Sequence, residues 1–338
     1  MRGRIGAMQE ILAAIRQHRD FLLTAHIHPD GDCVGSMLAL SWGLGRLGKA
    51  ARIVLSDPVP YACQFLSGAD GILSVSEYEN QHDSAPEAAI ILDCGELERI
   101  GDVKGLLGHD TVLLNIDHHL QNAGFARHVW VDPGEAATGQ MIYRLLVALG
   151  LTIDVDVATQ LYTALAIDTG GFRFSNTTAE VHRLAASFLD LGVLPGHVSE
   201  QLYETKSLES LRLLAATLAS LTVSADGRVA SLILPAGILE EFRVDPADTE
   251  GFVNYARSIQ GVEVALLFRE EAGGEVRVSL RSKGAVDVSE LAAAFGGGGH
   301  AKAAGCTLKM PLKEAVGALT AAARKVVATD GTPHGPSR

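Results

Sequence analysis

Four cysteines, Cys33, Cys63, Cys94 and Cys306, are all that the 338-residue chain carries, and none forms a C-x-x-C pair. So few thiols at such spacings exclude a disulfide framework and a structural zinc knuckle, and they fit a reducing cytoplasm. Basic residues are scarce too: 28 Lys and Arg against 40 Asp and Glu leave a net charge of -12. That balance excludes a long, sequence-independent grip on duplex nucleic acid, which needs many cations on phosphates. An anionic substrate must therefore be held locally. No apolar run approaches the roughly 18 residues of a membrane span. The stretch MQEILAAIRQHRDFLL places Glu10, Arg16 and Arg19 where a signal peptide needs unbroken apolar residues. Its Met8, Leu12 and Ile15 fall at helical spacing and predict an amphipathic first helix. There is no internal repeat, and the single low-complexity stretch is the glycine run Gly296 to Gly299.

What is present is enough apolar residue, 47%, for full-sized cores, at a length that suits two domains. Short apolar runs alternate with helical patterns: FLLTAH, then VGSMLALSWGLGRLG, ARIVLSD, AAIILDCG and TVLLNIDHH. Continuous apolar runs of this kind suit parallel strands covered on both faces, so the first part reads as an open, mostly parallel α/β sheet flanked by helices. Helices follow at ATGQMIYRLLVALG, DVATQLYTALAID and TAEVHRLAASFLDLG, the last stopping at Gly192. The expected organisation is a catalytic domain over 1–195, a helical linker over 196–221, a smaller α/β domain over 222–328 and a tail over 329–338. The second domain is expected to carry strands at VASLILP, EVALLFRE and EVRVSLRS and helices near VSELAAAF and KEAVGALTAAARKVV.

The chemistry gathers at strand ends. His26, Asp30 and Asp32 follow FLLTA, in a loop whose Pro29 and Gly31 predict that it neither extends a strand nor starts a helix. Asp93 follows AAIIL, Asp117, His118 and His119 follow VLLNI, and Asp168 closes a helical run. In an open α/β sheet the carboxyl ends of the strands line the ligand crevice, so these groups converge there. Taken singly, the first cluster reads as an Asp- and Pro-rich turn, Asp93 as a helix cap and Asp117 with His118 as a hydrogen-bonded pair. Taken together they read as a metal site. Carboxylates with imidazoles and without thiolates suit Mn²⁺, Mg²⁺ or Fe²⁺, Mn²⁺ being favoured by the histidines. Two divalent cations balance four such carboxylates, where one would leave net negative charge facing an anion, and a pair stabilises both oxygens of a phosphoryl displacement. Cys33 and Cys94, beside these groups, read as apolar packing. The run FGGGGHAKAAG is either a flexible turn or a place where backbone N–H groups approach a phosphate or base, with His300 adding a polar contact. Arg281, at a strand end, is either solvated or a fork for a phosphate.

HIHPDGDCVGS, ILDCG, NIDHH and AIDTGGFRFSNTT, in that order, resemble the four motifs of the DHH phosphoesterases, and FGGGGHAKAAG resembles the glycine-rich signature of their DHH-associated C-terminal domain. The resemblance spans nearly the whole chain, and its length is similar to the NrnA-type oligoribonucleases, which also dephosphorylate 3′-phosphoadenosine 5′-phosphate. It implies that His26, Asp30 and Asp93 hold one metal, while Asp32, Asp93, His118 and Asp168 hold the other. It further implies that Asp117 orients a histidine and that His119 faces the phosphate. Gly297, Gly298, Gly299, His300 and Arg281 would hold the nucleotide, in a cleft between the domains. His28 stands where asparagine is common in the family. The expectation is a cytoplasmic, two-metal phosphodiesterase, with Mn²⁺ first and Mg²⁺ second, acting on short 5′-phosphorylated oligoribonucleotides and 3′-phosphoadenosine 5′-phosphate, with a homodimer left open. The alternatives are a linear diadenylate phosphodiesterase, a single-strand exonuclease of RecJ type, and a silent nucleotide-binding protein.

Overall fold

The computed structural model describes residues 2–82, 84–249 and 251–329. The chain divides between Thr205 and Lys206 into two compact units. In the first, α1 (Arg2–Gln17) leads into β1 (Asp20–Thr24), α2 (Gly31–Arg46), β2 (Ala50–Leu55), β3 (Leu73–Ser74), α3 (Val75–Gln81), β4 (Ala88–Leu92), β5 (Val112–Asp117) and β6 (His128–Val131). Helices α4 (Thr138–Ala148), α5 (Val155–Asp168), α6 (Ala179–Asp190) and α7 (Pro195–Tyr203) complete it. The six strands form one sheet in the order β3-β2-β1-β4-β5-β6. Every pairing is parallel.

The strand order explains where a site must lie. From β1 the chain steps outward to β2 and β3, then returns to β4 on the other side of β1 and steps outward again to β5 and β6. Loops leaving the carboxyl ends of β1 and β4 therefore part in opposite directions, and a crevice opens between them. Strand β4 is buried at all five positions, as its unbroken apolar sequence requires. Behind the crevice, α2 and α5 approach closely because Gly35 lacks a side chain: a Cβ there would sit 2.3 Å from the Gln160 carbonyl oxygen.

The loop after His26 does start a helix, contrary to the expectation from its Pro and Gly. Asp30 is the N-cap of α2, its carboxylate accepting the N–H groups of Asp32 (2.9 Å) and Cys33 (3.2 Å). The helix thus begins three residues before the apolar periodicity that marked it.

The second unit contains α8 (Leu208–Ala219), β7 (Thr222–Val223), β8 (Val229–Leu234), α9 (Ile238–Phe242), α10 (Phe252–Ser258), β9 (Val264–Glu270) and β10 (Val276–Ser282). It ends with α11 (Val288–Ala293), β11 (Gly298–His300), β12 (Ala303–Leu308) and α12 (Leu312–Thr329). Its sheet runs β11-β12-β10-β9-β8-β7. It is mixed, with β8 and β9 parallel and the other pairs antiparallel. Leu213, Leu214 and Phe252 pack on one face and Leu291, Ala315 and Leu319 on the other. The glycine run is not a free turn: Gly298, Gly299 and His300 pair with Gly305, Ala304 and Ala303 as an edge strand. Glycine is required there, since a Cβ on Gly297 would lie 2.1 Å from the Gly305 carbonyl oxygen. The tail expected over 329–338 overlaps α12 at Thr329, and residues 330–338 lie outside the described residues. Among the described residues, no helix is long and apolar enough to cross a membrane.

Candidate metal centre

His26 stands two residues beyond β1, Asp93 one beyond β4, Asp117 ends β5 and Asp168 ends α5, so four elements deliver their acids and imidazoles to the crevice. Asp30 and Asp32 reach it from the first turn of α2. Asp32, Asp93 and Asp117 are at most 2% exposed, and His118 is 7% exposed. Anionic oxygens at that depth are stable only with partners or cations.

Asp93 is central. Its Oδ2 lies 3.5 Å from His26 Nε2. Its Oδ1 lies 3.5 Å from His118 Nε2 and 3.6 Å from His119 Nδ1. One carboxylate thus faces two groups of ligand atoms with different oxygens. Its backbone φ of 53° puts a non-glycine residue in the left-handed region, which aspartate tolerates better than most. On one side of it, His26 and Asp30 cluster; on the other, Asp32, His118 and Asp168 do, with His118 Nε2 2.9 Å from Asp168 Oδ2 and 3.8 Å from Asp32 Oδ2. The structure therefore brings all six proposed ligands together.

Backbone carbonyls orient two of the imidazoles. His26 Nδ1 is 2.8 Å from the Ile27 carbonyl and His118 Nδ1 is 3.3 Å from the Glu135 carbonyl. A carbonyl can only accept, so Nδ1 carries a proton in each ring and Nε2 is the nitrogen that faces the carboxylates. This is the usual arrangement of a metal-bound histidine, its other nitrogen donating to a carbonyl or carboxylate. Without cations the charges are strained in a consistent way. Burial disfavours the charged form of His26, yet its bond to Asp93 and the nearby Asp30 outweigh this and push its pKa up to about 9. Burial, then the charges of Asp93 and Asp168, hold Asp32 well above the usual carboxylate range. Burial likewise pushes Asp168 up to about 6, despite its bond to His118. Burial also works against ionised Asp93, but three histidines more than compensate and hold its pKa down. Oxygen and imidazole donors, correct tautomers and unbalanced buried carboxylates together fit divalent cations.

Cys33 also lies within the His26 and Asp30 group. Its Sγ donates to the Asp30 carbonyl at 3.3 Å, and burial holds its pKa well up, so it is a packed thiol, as expected for a side chain behind a site. Asp117 accepts from His119 Nδ1 at 2.6 Å, and from the His119 backbone N–H at 3.1 Å, through the same oxygen. The predicted substrate residues Arg281, Gly297, Gly298, Gly299 and His300 belong to the second unit: Arg281 is on β10, and Gly298 to His300 form β11.

Thr138 and Gly139 were not foreseen. Their N–H groups, at the start of α4, donate to Asp32 at 2.7 and 2.8 Å, and the Thr138 hydroxyl donates to Asp93 Oδ1 at 2.9 Å. Ala137 gives α4 no side-chain cap, so Asp32 supplies one from another helix. Nothing in ATGQM distinguishes this Thr from an ordinary helix start. The one available signal was Gly139, at which a Cβ would sit 2.4 Å from that of Ala164.

Comparison with known proteins finds family matches in both units. The DHH family, N-terminal domain, matches residues 20–167, and the DHHA1 domain matches residues 227–329. A Thermus thermophilus protein named "Bifunctional oligoribonuclease and PAP phosphatase NrnA" is 35% identical over 304 residues, 89% of this chain and 87% of its own. A Bacillus subtilis protein of the same name is 29% identical, covering 88% of this chain and 92% of its own. The crystal structure of an exopolyphosphatase-related protein from Bacteroides fragilis superposes with a TM-score of 0.86 at 27% identity, covering 95% of this chain and 96% of that one.

Proposed function

Since the chain belongs to the DHH family, with a DHHA1 domain as its second unit, we propose that it is a cytoplasmic phosphoesterase that hydrolyses short 5′-phosphorylated oligoribonucleotides to mononucleotides and 3′-phosphoadenosine 5′-phosphate to AMP. The observation that carries the reading is the Asp93 carboxylate, with Oδ2 toward His26 and Oδ1 toward His118. Such a carboxylate suits two cations sharing one ligand. His26, Asp30 and Asp93 would hold one; Asp32, Asp93, His118 and Asp168 would hold the other. When bound, two divalent ions, Mn²⁺ by preference and Mg²⁺ otherwise, supply Lewis-acid polarisation of the phosphoryl oxygens and lower the pKa of a water.

The chain's own residues do the remainder. Asp117 accepts the Nδ1–H of His119 and so stabilises the imidazolium, whose Nε2–H is then the donor to meet a phosphoryl oxygen as negative charge builds there. Arg281, with the glycine strand and His300, would hold the nucleotide or its far phosphate. The net charge of -12 gives a long strand little to gain beyond its terminal residues, which favours dinucleotides.

The test is product analysis by ion-exchange chromatography. Metal-stripped protein plus Mn²⁺ is incubated with 5′-phosphorylated diadenylate, 3′-phosphoadenosine 5′-phosphate and a long single strand, with Asp93→Ala as control. AMP released from the two small substrates, and abolished in the variant, is the expected result. Faster digestion of the long strand would make the protein a strand-tracking exonuclease, and no turnover of any of the three would leave a nucleotide-binding protein.

A further inference from the structure

Two asparagines outside the ligand set tie the catalytic loops together. Asn115 lies in β5, fully buried, where an amide must spend every hydrogen-bonding group on protein. Its Nδ2 donates to the carbonyls of Ile91 (3.0 Å) and Cys94 (3.1 Å), which bracket the left-handed turn at Asp93. Its Oδ1 accepts from Asn122 Nδ2 at 2.8 Å. The second hydrogen on that nitrogen goes to Asp117 Oδ2, also at 2.8 Å, and Asn122 Oδ1 accepts from the Gly124 N–H at 2.9 Å. Asp117 then holds His119 through its other oxygen.

Both amide nitrogens thus use two hydrogens on two acceptors, and both amide oxygens accept. Turning Asn122 over would set its oxygen against two other oxygens, one of them anionic, so a single orientation survives. The backbone reinforces the tie. Ala123 N–H donates to the Gly95 carbonyl at 2.8 Å, and Gly95 cannot carry a side chain, because a Cβ there would lie 2.4 Å from the Gln121 carbonyl oxygen.

We propose that Asn115 and Asn122 form a positioning pair, Asn122 fixing the orientation of Asp117 and with it the Nδ1–H form of His119, and Asn115 fixing the backbone turn that presents Asp93. The inference rests on the role given above to His119 and extends it to two residues that touch neither metal nor substrate. The two members act on different quantities. Asn122 bears on turnover alone, whereas Asn115 also bears on metal affinity through Asp93.

The experiment compares Asn122→Ala, Asn122→Asp and Asn115→Asp with the full-length parent. Steady-state kinetics on 5′-phosphorylated diadenylate with Mn²⁺ are combined with calorimetric Mn²⁺ titration and proton NMR of the downfield His119 Nδ1–H resonance, assigned by its loss in His119→Gln. Asn122→Ala should lower kcat about 10- to 100-fold with KM within about twofold and Mn²⁺ affinity within about threefold, and should shift or broaden the resonance. Asn122→Asp keeps the shape but replaces the donor with an acceptor, so it should be at least as damaging; a merely space-filling residue would tolerate it. Asn115→Asp should lower kcat and Mn²⁺ affinity together. Parent-like kcat and an unmoved resonance in Asn122→Asp overturn the proposal. If the parent itself fails to turn over diadenylate, the functional reading falls, and the resonance still decides whether the pair positions His119.

Discussion

Thr138→Val is the perturbation that separates support of the ligands from the ligands themselves. Thr138 is fully buried and serves both sides of the site, its N–H on Asp32 and its hydroxyl on Asp93. Valine keeps the volume, the branching and the N–H, so only the 2.9 Å hydroxyl bond to Asp93 Oδ1 is lost. A hydrogen bond to a charged group contributes about 1.5–3 kcal/mol net, and a buried partner left unsatisfied costs at the upper end. Helix propensity barely changes between Thr and Val, so it does not mask the effect. For a unit of this size the loss corresponds to roughly 3–12 °C in melting temperature at about 2–4 °C per kcal/mol. Mn²⁺ affinity should fall about 10- to 100-fold, the usual penalty for removing a group that orients a ligand. Thr138→Ser retains the hydroxyl and should recover most of the affinity. Calorimetric titration of Mn²⁺ into metal-stripped protein, with differential scanning fluorimetry alongside, measures both quantities. Wild-type affinity and a melting temperature within about 1 °C in Thr138→Val would refute the role assigned to the hydroxyl.

The metal-stripped protein should lose stability as pH rises. His26, raised from 6.5 to about 9, contributes stability that is complete below its ordinary pKa and lost as pH passes about 9. Asp168, raised from 3.8 to about 6, adds a loss of the same sign at lower pH. Asp93, held low, has the opposite sign and matters only in acid. Melting temperatures between pH 6 and 9 should therefore fall with a chelator present and not with Mn²⁺, whose binding displaces the His26 proton; a flat chelated profile counts against the charge arrangement. Gly35→Ala drives a methyl to 2.3 Å from the Gln160 carbonyl oxygen and must separate α2 from α5. It should cost about 1–3 kcal/mol or more in urea unfolding, and a midpoint equal to the parent's would show that the two helices have room to yield. Gly297→Ala meets the Gly305 carbonyl at 2.1 Å and should unpair β11. Hydrogen exchange at Gly298 to His300 should then accelerate, and unchanged protection would contradict the tight hairpin.

The residues of the cluster were legible because each breaks a rule its surroundings obey. An apolar strand that ends in Asp-His-His, or a buried run that closes on Asp, has no packing reason to do so, and the parallel sheet turns scattered strand ends into one place. Supporting residues left weaker marks. Asn115 was visible in principle, as an amide within VLLNID, a stretch that otherwise reads as core; a buried amide implies partners but does not say which. Asn122 and Thr138 sit where Asn and Thr are ordinary, in a loop and at a helix start, and only the fold gives them meaning. The glycine strand failed for the opposite reason: glycine is a poor strand former, so a propensity reading favours a turn, while backbone proximity to Gly305 and Ala303 requires residues without Cβ.

Asp32 shows why recruitment and folding cannot be separated here. Helix α4 begins without a cap of its own, and its first N–H groups are satisfied by a carboxylate from α2. Both Asp32 oxygens are engaged, one by Thr138 and the other by Gly139 and the Ser36 hydroxyl at 3.1 Å. The positive end of the α4 dipole lowers the cost of burying that charge, which is otherwise set against Asp93 and Asp168. Moving Asp32 would uncap the helix, and moving the helix would release Asp32. The arrangement therefore holds Asp32 in place before any cation arrives, which is the condition for binding without reorganisation.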